Sequence, residues 1–256
     1  MLLLSPAGSP ESLLAALKSG ADGVYFGGAA FNARRGAANF SDAELQKALD
    51  LCHLYGAKAF ITMNTLLTDR ELPEALAYAK FLYQAGADAL IVCDMGLIQG
   101  LRRELPDLPL HGSTQLGIGD IPGARLLQRL GFSCGVLARE TPLASIAAIR
   151  RAVDLPLEAF VHGALCMSFS GACLYSSMAG ERSGNRGTCA QPCRKPCALN
   201  RRPREGDYAL SLSDLCMLEH LGDLEKAGVT WLKIEGRMKR PAYVAGVTAA
   251  YRAALD

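Results

Sequence analysis

Cysteine is the residue type whose spacing says most about chemistry in this sequence. Five of the nine cysteines lie between Glu158 and Cys197, and the other four are scattered singly. Clustered thiols indicate a disulfide framework, a metal site or a catalytic thiol. The sequence before the first predicted strand has no secretory signal, so we expect a reducing cytosol, where disulfides are rare. The cluster therefore favours a metal site.

The spacing of the clustered cysteines bears on which metal they would bind. Six residues separate Cys166 from Cys173, and three separate Cys189 from Cys193. Only the second pair has the short spacing of structural zinc sites, whereas iron–sulfur clusters commonly use four thiolates at looser spacing. Cys197 follows after three more residues, which differs from the C-x₃-C-x₂-C pattern of radical enzymes that use S-adenosylmethionine. Spacing favours an iron–sulfur cluster and leaves zinc and free or redox-active thiols open.

Two motifs that contain these cysteines resemble those of one family. E-A-F-V-H-G-A-L-C-M-S-F-S-G-A-C-L-Y-S-S resembles the signature of the collagenase-like peptidases, family thirty-two among those of unassigned catalytic type, and G-N-R-G-T-C-A-Q-P-C-R resembles the family's second cysteine motif. Tyr25–Phe40, His111–Gln115 and Lys233–Arg237 also read like motifs of this family. The resemblance therefore extends over nearly the whole chain.

The resemblance implies more than the residues alone. Better understood members of the family hydroxylate RNA or quinones and carry a [4Fe-4S] cluster. Mapped by motif, the cluster ligands here would be Cys166, Cys173, Cys189 and Cys193, with Cys197 a spare thiol or a substitute ligand. The RNA-hydroxylating members use prephenate as the apparent hydroxyl source. The reaction implied is C5-hydroxylation of a pyrimidine in tRNA or 23S rRNA.

The charge of the chain is unevenly distributed. The net charge is +2, but residues 181–204 carry seven basic side chains against one glutamate, and residues 233–240 carry four against one. A basic surface beside the cysteines, on an otherwise acidic body, suits a polyanion such as RNA. Taken alone, either stretch is more simply interpreted as a run of charged residues that are exposed to solvent. No apolar run is long enough to span a bilayer, so we expect no membrane partner.

Short apolar strands and helices alternate along the chain. Helix starts such as Ser9-Pro10 and Ser41 with Glu44, and helix ends such as Gly20, recur at intervals of about thirty to forty-five residues. Such alternation predicts parallel strands covered by helices. Eight strands predict a single (β/α)₈ TIM-like barrel over residues 1–256, with a doubly wound open sheet as the alternative. Residues 162–207 are predicted to be a cysteine-rich, basic insertion between strands seven and eight, with an extra strand at Tyr208–Leu212.

The active site of such a barrel lies at the carboxyl ends of its strands. His162 and Glu235 are the candidate catalytic residues, since histidine titrates near neutral pH and Glu235 would be a carboxylate among cations. The resemblance also suggests a small dicarboxylate, for which guanidinium groups are suited. The predicted substrate-binding residues have polar side chains and lie near the strand ends or in the insertion: Arg34, Asn64, Gln115, Arg186, Arg194 and Arg237. Asp94 and Glu140 follow other strands in the same way.

Two other functions remain open from the sequence. A peptidase is what the family name implies, although the sequence lacks H-E-x-x-H and G-x-S-x-G, and only Cys166 and His162 form a close thiol–imidazole pair. The chain could also be a non-enzymatic iron–sulfur accessory protein that works with a protein partner in quinone hydroxylation.

Overall fold

The computed structural model describes residues 1–198, 200–202, 204 and 206–256, and its centre is a closed barrel of eight parallel strands. The barrel strands are β1 (Leu2–Pro6), β2 (Gly23–Phe26), β3 (Lys58–Met63), β4 (Ala89–Val92), β5 (Leu110–Gly112), β6 (Cys134–Val136), β7 (Leu157–Ala164) and β9 (Trp231–Ile234). Each pairs with its neighbour in order, β1 pairs with β9, and β7 pairs with both β6 and β9. The predicted TIM-like barrel is therefore confirmed, and the open sheet is excluded.

Helices cover the outside of the barrel. They are α1 (Pro10–Lys18), α2 (Asp42–Leu54), α3 (Leu72–Gln84), α4 (Met95–Glu104), α5 (Ile121–Arg129), α6 (Leu143–Ala152), α7 (Tyr175–Gly180), α8 (Leu221–Lys226) and α9 (Pro241–Leu255). The capping box of Ser41 and Glu44 starts α2 as predicted. The apolar stripe of α2, which includes Cys52, is buried against the barrel because the outer strand faces are also apolar. None of the helices formed by the described residues has the length and hydropathy needed to cross a membrane.

The extra strand lies later in the chain than the sequence suggested. Residues 214–216 form β8 (Asp214–Cys216), which runs antiparallel to the end of β7, with Ala164 opposite Asp214. The pairing of β6 with β7 ends at Glu158, so the later residues of β7 have a free edge on that side, to which β8 binds. The predicted strand at Tyr208–Leu212 is wrong, and residues 162–164 belong to β7 rather than to the insertion.

Candidate functional site

A narrow pocket opens at the carboxyl ends of the barrel strands. Its lining residues come from most of the strand ends: Tyr25, Ala33, Arg34, Thr62, Asn64, Ile91, Ser113, Thr114, Gln115, Arg139, Phe160, Lys233, Glu235 and Arg237. This is where barrels of this type carry their active sites. The cavity has a volume of about 30 Å³, so a ligand with more than a few atoms enters only when side chains move.

Glu235 is the centre of the pocket's charge. Its Oε2 accepts hydrogen bonds from Nη2 of Arg139 at 2.8 Å and from Nη2 of Arg34 at 3.2 Å. Burial acts to raise the pKa of Glu235, but Arg34, Arg139 and Arg237 outweigh it and lower that pKa to about 2. Glu235 is therefore an ionised counter-ion and a weak base, which does not favour the predicted role in proton transfer.

Arg237 and Lys233 complete the positive charge of the pocket. Arg237 is buried and donates from Nη1 to Thr62 Oγ1 at 2.7 Å, and burial together with the nearby Arg34 lowers its pKa to about 10. Lys233 pairs with Glu158 inside the barrel. Four cationic side chains thus face two carboxylates, which leaves the site with two uncompensated positive charges. A dianion has the charge that would balance this excess.

Asn64 and Gln115 hold loops at the pocket mouth. Asn64 accepts from the backbone N–H of Ala33 at 3.0 Å and donates to Ser113 Oγ at 3.2 Å. The backbone N–H of Gln115 also donates to Ser113 Oγ. These bonds fix the loop that carries Arg34, so Asn64 positions the site in addition to lining it.

The predicted cluster ligands lie in the insertion beside this pocket. Cys166 and Cys189 are exposed, and Cys173 and Cys193 are half-buried. Burial raises the pKa of Cys193, and the neighbouring thiols of Cys166 and Cys189 raise it further, so Cys193 lies near both of them. All are free thiols, and exposed thiolates of this kind are the donors that an iron–sulfur cluster uses.

The cysteine segment is also tied to the pocket. Glu235 is the main cause of the raised pKa of Arg34, with smaller contributions from Cys189 and Cys166. Gly171 packs so closely on the Gln115 carbonyl that a Cβ there would lie 2.0 Å from the oxygen. Ser170 Oγ accepts from the backbone N–H of Arg139 at 3.2 Å. The loop between Cys166 and Cys173 thus packs against two residues that line the pocket, Gln115 and Arg139.

Sequence comparison agrees with this combination of barrel, arginine pocket and cysteine loop. The family model described as peptidase family U32 matches residues 8–256, which is nearly the whole chain. This chain belongs to peptidase family U32.

The relatives of this U32 protein include RNA-modifying proteins and a protease. A 23S rRNA 5-hydroxycytidine synthase of Escherichia coli strain K12 is 44% identical over 99% of this chain and 39% of its own length. The tRNA hydroxylation protein P1 of Bacillus subtilis strain 168 is 34% identical over 99% of this chain and 63% of its own. A collagenase of Porphyromonas gingivalis strain W83 is 33% identical over 99% and 65%, respectively. The chain therefore spans between about two fifths and two thirds of the length of these relatives.

Solved structures share the fold. The U32 peptidase Mk0906 superposes with a TM-score of 0.56 at 17% identity, over 64% of this chain and 70% of that one. The phosphoribosylanthranilate isomerase of Pyrococcus furiosus gives a TM-score of 0.52 at 12% identity, over 99% of both chains. At these identities the likeness concerns the barrel alone.

His162 lies away from the pocket of the U32 barrel. A register shift in β7 between Phe160 and His162 lets Phe160 face the pocket while His162 packs on α9. Its ring lies 5.6 Å from that of Tyr251 and 6.1 Å from that of Tyr243, centroid to centroid. Burial lowers the pKa of His162, and Asp214 partly opposes this. The position of His162 gives no support to its predicted acid–base role.

Arg186 and Arg194 bind the insertion to the barrel instead of lining the pocket. Arg186 donates from Nη1 and Nη2 to the two oxygens of Glu71, at 2.8 and 2.6 Å. Arg194 donates to the carbonyls of Leu165 and Leu212 at 2.7 and 2.6 Å. Their predicted role in substrate binding is therefore not supported, because their donors are already used.

Arg139 is the pocket residue that sequence reasoning missed. Arg139 and Glu140 both follow β6, but the side chains of adjacent residues in an extended segment point in opposite directions. Arg139 faces Glu235, whereas Glu140 accepts from the backbone and hydroxyl of Ser170, each at 2.8 Å. Asp94, the other unassigned acid, caps α4 through the backbone N–H of Leu97. Alternation counted from Cys134, which faces the barrel interior, would place Glu140 rather than Arg139 on the pocket side, so no local pattern could have found Arg139.

We expect Arg186→Met to lower stability at neutral pH but not at strongly acid pH. Hydrogen bonds from Arg186, and then from Thr68, lower the pKa of Glu71 from 4.5 to about 2. Because the pKa of Glu71 is lower in the folded protein than its unfolded value of 4.5, its ion pair stabilises the folded state above pH 4.5. This stabilisation is lost as the pH falls to about 2. The loss at pH 7 should be about 1 kcal/mol, since the pair is bidentate but partly exposed.

Urea unfolding at pH 7 and pH 2.5 measures this difference. Arg182→Met is the control, because Arg182 is exposed and donates only to the carbonyl of Thr188. An equal loss for Arg186→Met at both pH values would contradict the assignment of the lowered pKa to this pair.

Proposed function

We propose that this protein is an iron–sulfur-dependent RNA hydroxylase that modifies C5 of a pyrimidine in tRNA or 23S rRNA and consumes prephenate. The observation that carries the proposal is the arginine pocket with two excess positive charges, beside a loop of four cysteines. Prephenate is a small dicarboxylate, so its charge matches the excess. Relatives named for tRNA and rRNA hydroxylation support the choice of RNA.

The arginines have separate tasks in this proposal. Arg237, Arg34 and Arg139 bind the two carboxylates of the small substrate, while Glu235 holds the guanidinium groups in place when the pocket is empty. A bound dianion would displace Glu235, which gives the pocket the room that it lacks at about 30 Å³. Two of the basic residues of 233–240, Lys233 and Arg237, are buried and therefore do not form a surface for RNA.

The cysteine loop would contact the RNA. Phe169 is 75% exposed although its neighbour Ser170 is bonded to Arg139 at the pocket. An exposed ring held at the mouth of a cationic pocket suits an unpaired base, which stacks on aromatic side chains. Exposed cations of the insertion would bind the phosphates: Arg182, Lys195, Arg202 and Arg204.

The cluster would be held by Cys166, Cys173, Cys189 and Cys193. When bound, it would supply electron transfer for the oxidation. The protein's own contribution is to hold the base and the dianion together and to exclude water from the pocket. An RNA substrate and an oxygen-sensitive cluster both support a location in the reducing cytosol.

A peptidase activity has less support from the site. The lining of the pocket, within the part of the chain that the structure describes, contains neither cysteine nor histidine, so it offers no thiol–imidazole pair for peptide hydrolysis. An accessory role with a protein partner is the other alternative, and the greater length of the relatives leaves room for it.

Nucleoside mass spectrometry of rRNA and tRNA from a deletion strain tests the proposal. We expect one 5-hydroxypyrimidine to disappear and to return when the gene is supplied. An Arg237→Met copy should not restore it, whereas an Arg103→Met copy should, because Arg103 is exposed on α4 and pairs only weakly with Glu104. An unchanged nucleoside profile, or cleavage of casein by the pure protein under reducing conditions, would overturn the proposal.

A further inference from the structure

A polar network lies beneath the pocket, inside the barrel. Lys233 Nζ donates to Glu158 Oε1 at 2.5 Å, and His111 Nδ1 lies 3.7 Å from Glu158 Oε2. Glu158 is 0% exposed, and His111 and Lys233 are 5% and 4% exposed. The surrounding interior layer is largely apolar and includes Phe60 and Trp231. Three charged or titratable side chains therefore lie in a layer of the barrel interior that is otherwise filled mainly by apolar side chains.

Stability does not account for this network. Desolvation of two ions commonly costs as much as their attraction returns, and well-packed apolar residues often stabilise equally well. Moreover, His111 Nδ1 and Glu158 Oε2 are buried, and among the residues that the structure describes neither atom has a partner at hydrogen-bond distance, which costs additional free energy. The presence of this buried network therefore requires a functional explanation.

A metal ion is one function that the ligand types suggest. His111, Cys134 and Glu158 offer ligand atoms within 4.8 Å of one another. However, Lys233 already holds Glu158, so its ammonium group would lie directly against a bound cation. This repulsion argues against a metal, and the network is better understood through Lys233 itself.

Lys233 is the member of the network that reaches the pocket. It lines the cavity together with Tyr25 and Phe160, whereas Glu158 and His111 lie behind it. Its Nζ is 4.1 Å from the centroid of the Tyr25 ring, a distance typical of a cation–π contact. Glu158 fixes the position of Nζ from below.

We propose that Lys233 is the proton donor of the pocket, with Glu158 and His111 as positioning residues that keep it charged and in place. This inference rests on the proposed function, because the acceptor is an oxygen of the bound substrate on which negative charge develops during the reaction, and not a carboxylate that the arginines hold. One Nζ–H bond breaks and one O–H bond forms on the substrate, and the neutral amine keeps a hydrogen bond to Glu158 through a remaining N–H. Lys233 regains its proton from water when the product leaves and the pocket opens.

A double variant separates catalysis from folding. Lys233→Met with Glu158→Leu replaces the ion pair by apolar side chains, so the protein should unfold at a temperature equal to or above that of the wild type. Either single change leaves one buried charge unpaired and should unfold at a lower temperature. The arginines remain, so the KM for prephenate should change less than threefold. The kcat for prephenate consumption in the presence of RNA should fall at least about 100-fold, as expected for loss of a general acid.

Lys58→Met is the matched control, because Lys58 forms an ion pair with Asp88 on the outside of the barrel. It should keep the wild-type kcat. A folded double variant with a kcat within threefold of the wild type overturns the inference and leaves the proposed function intact. A wild-type protein that consumes prephenate without modifying RNA would overturn the proposed function, and the double variant would still measure the proton step. A wild-type protein that does neither overturns both.

Discussion

Glu235→Gln will destabilise the protein by about 3 kcal/mol, and a small dicarboxylate will restore most of that loss. Glu235 is the carboxylate that pairs with Arg34 and Arg139 in the pocket, and its removal leaves buried guanidinium groups uncompensated. A dianion that binds the same arginines replaces the missing charge. By mass action, a ligand at 100 times its Kd stabilises by about 2.7 kcal/mol. Binding to the variant should be about tenfold tighter than to the wild type, because the competing carboxylate is gone.

Thermal unfolding with and without prephenate or malonate measures both effects. Glu71→Gln is the matched control, since Glu71 also pairs with an arginine but lies outside the pocket. It should lose stability without any rescue by the dianion. Equal ligand effects on the two variants would show that the pocket arginines are not the dianion site.

Cys189→Ser will abolish the iron content and the RNA modification. Cys189 is exposed and lies near Cys193, and thiolate ligands are what hold an iron–sulfur cluster. After anaerobic purification, the wild type should contain about four iron and four sulfide per chain. The variant should contain almost none, and the visible absorbance of the cluster should disappear. Iron and acid-labile sulfide assays give the answer directly.

Two cysteines outside the predicted ligand set provide the controls. Cys216 is exposed on β8, and Cys197 pairs across a bridge with Tyr208 in a separate turn. Cys216→Ser and Cys197→Ser should both retain the iron. Loss of iron in Cys197→Ser together with its retention in Cys193→Ser would reassign the fourth ligand to Cys197.

The barrel could be predicted because its signals are local. Helix caps such as Ser41 with Glu44, and glycines that end helices, mark each repeat along the chain. The position of β8 could not be predicted in the same way. It depends on the free edge that β7 has beyond its pairing with β6, and this is a property of the closed barrel.

The site was predicted in part for a similar reason. Glu235 and Arg237 follow β9 at alternate positions, so the sequence places them on one face, and both line the pocket. His162 also follows the alternation, but the register shift in β7 turns it toward α9. Arg186 shows a further limit, since the sequence indicates its charge but not its distant partner Glu71. Pairings across the barrel depend on tertiary structure that no local pattern encodes.

The contact of Gly171 with Gln115, and that of Ser170 with Arg139, have a consequence for oxygen sensitivity. If the proposed cluster is destroyed by air, the loop between Cys166 and Cys173 loses its anchor, and the same loop packs behind Gln115 and Arg139 of the arginine pocket. Under the proposed function, damaged molecules should then bind the dicarboxylate more weakly as well as lose activity on RNA. In that case a cell exposed to oxidants would lose the modification without consuming the co-substrate on inactive protein.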